Sequence, residues 1–353
     1  MTDRPGTPQP RLRPGGIVLA FALAILLAAA WKWSNVLLMG FGAILVAIAL
    51  RAGARLLNTW LGLGFKPGVL VSALAAGLAI AAVVVWAGPS ISQQFRQLLS
   101  SLPAAWEQVN TWLSESSVGQ FLEQRIRTVD GGNAPAPPAG TLPSLFGYVT
   151  GTLTTVFGSA ANLVLLVTVA IFLALDAPQY RGGALRLVPR SYRPRATQIA
   201  DELGSALARW MGGQAVDMLL VALLTGLGLW LLDVPLALVL GLIAGLTNII
   251  PVVGPFLSGI PAVLFALTQG VDLALYVTLL FVVIQQVEGN MLMPLIQRYA
   301  VDLPPALTVL AILAFGSLFG FAGIVLATPL LLVTIILVKR IYVEDVLGDR
   351  CDD

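Results

Sequence analysis

The sequence predicts an all-α, polytopic integral membrane protein, and three observations lead there. Of the 353 residues, 58% are hydrophobic and only 11% are charged. The mean hydropathy is +0.89. The apolar residues also fall in runs long enough to cross a bilayer, which takes roughly 20 helical residues for about 30 Å of hydrocarbon. A water-soluble chain of this length could not cover its surface with so few charges. Helices are the expected form because they satisfy their own backbone groups inside the span. Histidine is absent, so imidazole zinc sites and every Ser–His or Cys–His mechanism are excluded. The single cysteine, Cys351, has no partner for an intrachain disulfide. A net charge of +2 argues against nucleic acid as a partner. No cofactor and no metal site is expected.

Taken in order, residues 1–16 read as a disordered basic cytoplasmic tail, with Pro5, Pro8, Pro10 and Pro14. Residues 17–88 hold three transmembrane helices. Ile17–Trp31 and Val36–Leu50 are short runs around a Lys32-Trp33-Ser34-Asn35 turn, with Trp and Arg at the interfaces. Val69–Ala87 is the third. The first run lacks a cleavage site and leads straight into another span, so it does not read as a signal peptide. Residues 89–150 form an extracytoplasmic helical segment. Ile91, Phe95, Leu98, Leu102, Trp106, Val109 and Leu113 recur at helical spacing. A second helix is expected over Val118–Val129, then a Pro/Gly-rich linker over Gly131–Gly140. This segment reads as a small cap on its neighbours, with a vestibule or an oligomer contact as the alternative.

Residues 151–176 hold a fourth span, Val156–Leu175. Residues 177–210 are a basic cytoplasmic segment with Arg181, Arg186, Arg190, Arg193 and Arg195, continuing as an amphipathic helix. Ile199, Leu203, Leu207 and Trp210 share one face of it, which suits a helix in the leaflet interface; plain topological signalling by the arginines is the compatible alternative. Residues 211–340 form a core with apolar runs at Met211–Leu232, Pro235–Leu267, Leu273–Val287 and Ala306–Val338. Residues 341–353 are an acidic cytoplasmic tail. The total is about eight transmembrane helices. With both termini inside, sixteen of the twenty basic residues face the cytoplasm, a strong positive-inside bias.

Two core runs are too long for one span and are interrupted. Asn248-Ile249-Ile250-Pro251-Val252-Val253-Gly254-Pro255 breaks the first, and Gly316–Gly323 breaks the second. Proline removes a backbone donor and stops a helix. Backbone freed at membrane depth must be buried in protein or line a polar cavity. Each run therefore reads as a re-entrant or tightly folded helical hairpin. Asp233-Val234-Pro235 and Asp302-Leu303-Pro304 are expected to cap their starts. Pro235 precedes Pro261 by 26 residues and Pro305 precedes Pro329 by 24. Entry from opposite faces would make an inverted repeat of the kind that places a solute site near the midplane.

Polar residues in the spans are few. Gln214 lies one turn before Asp217, and Gln285 one turn before Glu288, so each amide shares a helix face with its acid. An ionisable residue within a span is a functional candidate by default. The pair suits a cation or a proton, against the alternative of pairing with inner arginines such as Arg209 or Arg298 or of reaching interfacial water. Asn248, Pro251, Gly254, Pro255 and Asn290 complete the candidate substrate or ion site.

These same motifs carry a resemblance. Ile250–Pro255, Ile260-Pro261-Ala262, Gln285–Asn290 with Pro294, Gly323–Leu330 and Gly213-Gln214 resemble the signatures of the autoinducer-2 exporter (AI-2E) family of permeases. The resemblance covers about residues 15–342 and is most specific over 248–330. It implies a bacterial inner-membrane transporter of eight helices with an outer domain after the third. It further implies a homo-oligomer, with a pentamer as one candidate. Export of autoinducer-2, sodium or lithium/proton antiport, and sporulation are the activities it suggests. The expected partners are a small molecule or ion and the lipid bilayer.

A secondary-active exporter working by alternating access is thus the leading expectation. No Gly-x-x-x-x-Gly-Lys-Ser/Thr run is present for direct ATP drive. A non-transporting oligomeric scaffold is the alternative of another class. An enzyme is not expected, because Asp217 lacks a partner aspartate at depth.

Overall fold

The computed structural model describes residues 32–62, 64–115, 160–292 and 303–349. The first expected span, the 118–129 helix, the 131–140 linker, Pro294, Arg298 and Asp302 lie outside the described residues. So do the basic tail, the start of the fourth span and Cys351. The described residues are α-helical with short 3-10 and π segments, and no strand occurs among them.

The helices are α1 (Ser34–Leu61), α2 (Phe65–Glu115), α3 (Ala160–Leu175) and α4 (Ala177–Arg186). They continue with α5 (Arg193–Leu231), α6 (Ala237–Thr247), α7 (Val253–Leu267), α8 (Val271–Val287) and α9 (Pro305–Leu337). Among the described residues four stretches are long and apolar enough to cross a membrane: Ser34–Thr59, Arg190–Leu231, Val271–Leu292 and Pro305–Val346, the last interrupted at Gly320. The α3–α4 pair is a fifth candidate, bent by 82°.

Several helices run past the boundaries that hydropathy suggests. Helix α1 begins inside the expected 32–35 turn and continues through Arg51 and Arg55. Helix α2 is one rod of 51 residues that joins the third span to the outer segment. Helix α5 joins the amphipathic segment to the fifth span in one rod of 39 residues. The reason is that hydropathy marks where lipid ends. Arg, Lys, Glu and Gln are good helix formers, so a helix carries on through them. The apolar face of α5 also finds a protein partner rather than the leaflet: Leu207 is buried with Leu45 of α1 and with Leu332 and Ile336 of α9, and Leu203 and Trp210 pack beside them.

On the side read as cytoplasmic, charged groups tie the helix ends together. Arg51 donates to the Ala174 carbonyl at 2.9 Å and lies 4.4 Å from the Phe65 ring centre. A cation there complements the C-terminal end of α3. Past α9 the chain widens into a π segment, Val338–Val346. Its Arg340 grips Glu202 of α5 with two bonds, at 2.9 and 3.1 Å. Its Glu344 and Asp345 bind Arg195, and Tyr192 donates to Asp345.

Both expected breaks are present. At the first, α6 stops at Thr247 and α7 starts at Val253. At the second, Gly320 has φ 65° and ψ −147°, a conformation essentially restricted to glycine. The chain doubles back there. A Cβ on Gly323 would lie 2.0 Å from the Phe315 carbonyl oxygen, and one on Gly316 would lie 2.8 Å from Ile324. Eight residues of straight helix would separate such positions by about 12 Å. The two breaks also meet each other. Ile250, Ile312 and Ala327 form one buried cluster, flanked by Val253 and Leu257 of the first hairpin and Phe315 and Ile324 of the second.

The capping expectation at 233 is corrected. Asp233 adopts φ 56°, Leu236 occupies the position before α6, and no side chain caps that end. Instead Gln94, far along α2, accepts from the Val239 N–H at 3.4 Å, satisfying one of the amides that every helix start leaves free. The outer part of α2 is thereby packed on the first hairpin.

Candidate functional site

The site begins with what a helix break leaves over. The last carbonyls of α6 have no intrahelical donor. Gln214 of α5 supplies one, its side-chain amide donating to the Asn248 backbone oxygen at 3.0 Å. The Thr247 hydroxyl lies 3.1 Å from the Gly254 oxygen and 2.7 Å from the Ile243 oxygen. Freed main-chain groups at this break are therefore sheltered by protein.

The turn is tight and strained. Val252 has φ 68° and ψ −45°, and the Val253 N–H donates to the Pro251 oxygen at 2.8 Å. That is a γ-turn of the rarer hand with a β-branched residue at its centre. Such a conformation costs on the order of 1–3 kcal/mol and persists only where its surroundings impose it. Gly254 makes the close approach possible, since a Cβ there would sit 2.4 Å from the Thr247 oxygen.

Asn248 is where the break becomes chemistry. Its side-chain amide donates to Asp217 Oδ2 at 2.6 Å and to Glu288 Oε1 at 3.2 Å. With both acids ionised the amide nitrogen faces them, because a carboxylate offers nothing to the amide oxygen. All three side chains are buried, with relative exposures of 3% for Asn248, 4% for Asp217 and 8% for Glu288. Asp217 Oδ1 is buried without any partner. Neither acid is paired with a basic side chain among the described residues, and Arg209 is exposed. The expected alternative, a structural ion pair with Arg209, is thus corrected.

Next to this triad lies a cavity of about 940 Å³. It has the size of a small-molecule site. Three helix faces line it: Trp210, Gln214 and Asp217 from α5, Pro255, Phe256 and Ile260 from α7, and Thr278, Phe281 and Gln285 from α8, with Glu288 just past its end. Pro305, Thr308 and Thr328 of α9 close it. No Lys or Arg is among the lining residues.

Of the nine residues the sequence singled out, Gln214, Asp217, Pro251, Pro255, Gln285 and Glu288 line the cavity, and Asn248 bridges the acids behind it. Gly254 is buried in the turn. Asn290 is set apart: it is exposed and donates to Gln286 at 2.9 Å. Gly289 and Asn290 do not stop the helix, which continues as a π segment over Glu288–Leu292. Thr278 and Phe281 stand in no motif of the sequence, and Trp210 is legible there only as part of an apolar helix face. The signal was present, since Thr278, Phe281, Gln285 and Glu288 follow helical spacing along one face.

Among known proteins, YueF of Bacillus subtilis (strain 168), which bears the name of a transport protein, is 29% identical over 69% of this chain and 67% of its own length. YrrI of the same organism, also named for transport, is 36% identical over 40% of each chain. PerM of Escherichia coli (strain K12), named as a permease, is 28% identical over 49% of this chain and 52% of its own. The chain thus matches about two thirds of YueF and about half or less of the other two. The family model described as AI-2E family transporter matches residues 19–342. With nearly the whole chain covered by that match, this multi-pass membrane protein belongs to the AI-2E family of transporters.

Proposed function

We propose that this chain is a secondary-active transporter of the bacterial inner membrane that exports a small solute by alternating access, with both termini cytoplasmic. One observation carries the reading. A single amide, in the break of a helical hairpin, joins carboxyl groups from two other helices beside a solute-sized cavity. Any rocking of the hairpin α6–α7 moves Asn248 against Asp217 and Glu288. Any change in what the acids hold alters the grip on the hairpin in turn. That is the reciprocal link between occupancy and conformation that a carrier needs. The strained Val252 turn supports it, since such strain gathers at elements with two arrangements.

An autoinducer-2-like signal is the solute the family suggests. Sodium or lithium/proton antiport is the second reading, favoured by the acid pair, because intramembrane carboxyl groups mark ion and proton paths. A homo-oligomer, with a pentamer as candidate, is the proposed assembly. The test is flux in proteoliposomes under an imposed proton or sodium gradient, comparing wild type with Glu288→Gln. Gradient-driven flux that loses its pH dependence in the variant is expected. Unchanged pH dependence would remove Glu288 from coupling. No flux under either gradient would favour the scaffold.

A further inference from the structure

We infer that the cavity accepts amphipathic organic monocations, with the charge seated at Asp217 and Glu288 and the apolar body against Trp210, Phe256 and Phe281. The inference rests on the transporter reading for the site's purpose, but its chemistry comes from the cavity itself.

Three observations converge. First, Asp217 is 4% exposed, faces the cavity, and leaves Oδ1 without a partner. A buried carboxylate oxygen without a donor is costly, and positive charge in the adjoining cavity would offset that cost. Second, no basic side chain lines the cavity, so the two acids are met only by the neutral Asn248 amide. Third, the remaining wall is mostly aromatic and aliphatic, with Val263, Leu264 and Val282 beside the three aromatic rings.

That wall decides between kinds of cation. A bare sodium ion would need several oxygen ligands in place of its water. Here Asp217 Oδ2 and Glu288 Oε1 are shared with the Asn248 amide, and no group of three or more His, Cys, Asp or Glu side chains able to hold a metal occurs among the described residues, so the apolar wall favours an organic cation over a bare one. An organic cation needs no such shell. Its charge is spread, its body gains from apolar contact, and aromatic faces attract it further. Gln214 and Gln285, each one turn from an acid, add hydrogen-bonding groups beside the acid pair for an amine N–H, and Thr278 adds a hydroxyl farther along the wall.

The experiment uses tetraphenylphosphonium and tetraphenylborate, two probes of the same shape and opposite charge. Equilibrium dialysis against the purified full chain in detergent, with protein-free micelles as blank, measures both. Saturable binding of the cation and at least about tenfold weaker binding of the anion are expected, as is a loss of about tenfold or more in Asp217→Asn. Sodium chloride, compared with choline chloride at equal ionic strength, should not compete selectively. Equal binding of both probes, or no saturable binding of the cation, overturns the inference. So does full affinity in a folded Asp217→Asn protein. Should that variant fail to fold, the comparison of opposite charges on the wild type still decides. Flux separates this from the broader reading. Cation binding without gradient-driven flux would defeat the carrier and leave the cation site standing. Gradient-driven flux of a neutral solute without cation binding would do the reverse.

Discussion

Replacing Gly254 by alanine adds one methyl group at the most crowded point of the first hairpin. Its Cβ would lie 2.4 Å from the Thr247 oxygen, 2.8 Å from the Thr247 carbonyl carbon and 2.9 Å from Asn248 Cα. An ordinary carbon–oxygen contact is about 3.3 Å or more. The two strands of the turn must therefore part by roughly 0.9 Å, because all three neighbours are backbone atoms that cannot rotate away. Overpacking of this kind costs about 1–3 kcal/mol. The displaced segment also carries Asn248, whose 3.2 Å bond to Glu288 has little slack. Losing it adds about 1 kcal/mol. For a chain of this size each kcal/mol corresponds to about 1–2 °C, so a fall of roughly 3–6 °C in the unfolding midpoint is expected. Flux should fall with it, because the acids lose their shared partner. Gly254→Leu should act in the same direction and more strongly. The control is Gly212→Ala in α5, where a Cβ would meet nothing within 4 Å. That change should be neutral or raise stability by up to about 1 kcal/mol through helix propensity. Thermal unfolding in detergent and proteoliposome flux on both variants make the assay. A Gly254→Ala protein as stable and active as Gly212→Ala would refute the close packing of this turn and the coupling drawn from it.

Two other perturbations have definite signs. Thr225 of α5 is fully buried and its hydroxyl has no partner, so Thr225→Val should raise stability by about 1 kcal/mol; a lower unfolding midpoint would mean that the hydroxyl is bonded after all. On the charged side, hydrogen bonding to Arg195 holds Glu344 below the usual carboxylate range, and the Tyr192 hydroxyl does the same for Asp345. Groups with lowered values stabilise docking of segment 338–346 above about pH 4.3, and that contribution is lost as pH falls through the lowered values. The separation between spin labels at positions 191 and 347 should thus hold from pH 7 to pH 5 and widen in strong acid. Arg195→Ala should widen it already at neutral pH. A separation indifferent to both changes would mean that these ion pairs do not hold the segment.

Much of the site was legible in the chain because local chemistry wrote it. Pro251, Gly254 and Pro255 mark the first break through missing donors and a missing side chain, and these effects act over a few residues. The spacing of Gln214 with Asp217 and of Gln285 with Glu288 places each pair on one helix face whatever lies opposite. The boundaries of α1, α2 and α5 were less legible, since composition reports the edge of the lipid and says little about where a helix stops. Asp233 looked like a cap and is not one, because the helix starts later, at Ala237, and its Val239 amide is met by Gln94, 145 residues away along the chain.

By itself the sequence determined a helical membrane protein, the two interruptions and the acids that share faces with amides. Only the tertiary structure decided that Asp217 and Glu288 meet on the amide of Asn248, 31 and 40 residues distant. It also decided that the two hairpins touch and that a cavity opens beside them. The physical reason is that a helix face is set by neighbours along the chain. The rotation of one helix against another is set by packing, as where Gly241 and Gly245 of α6 press against Gly226 and Ala222 of α5, and that rotation alone aims three buried side chains at one another.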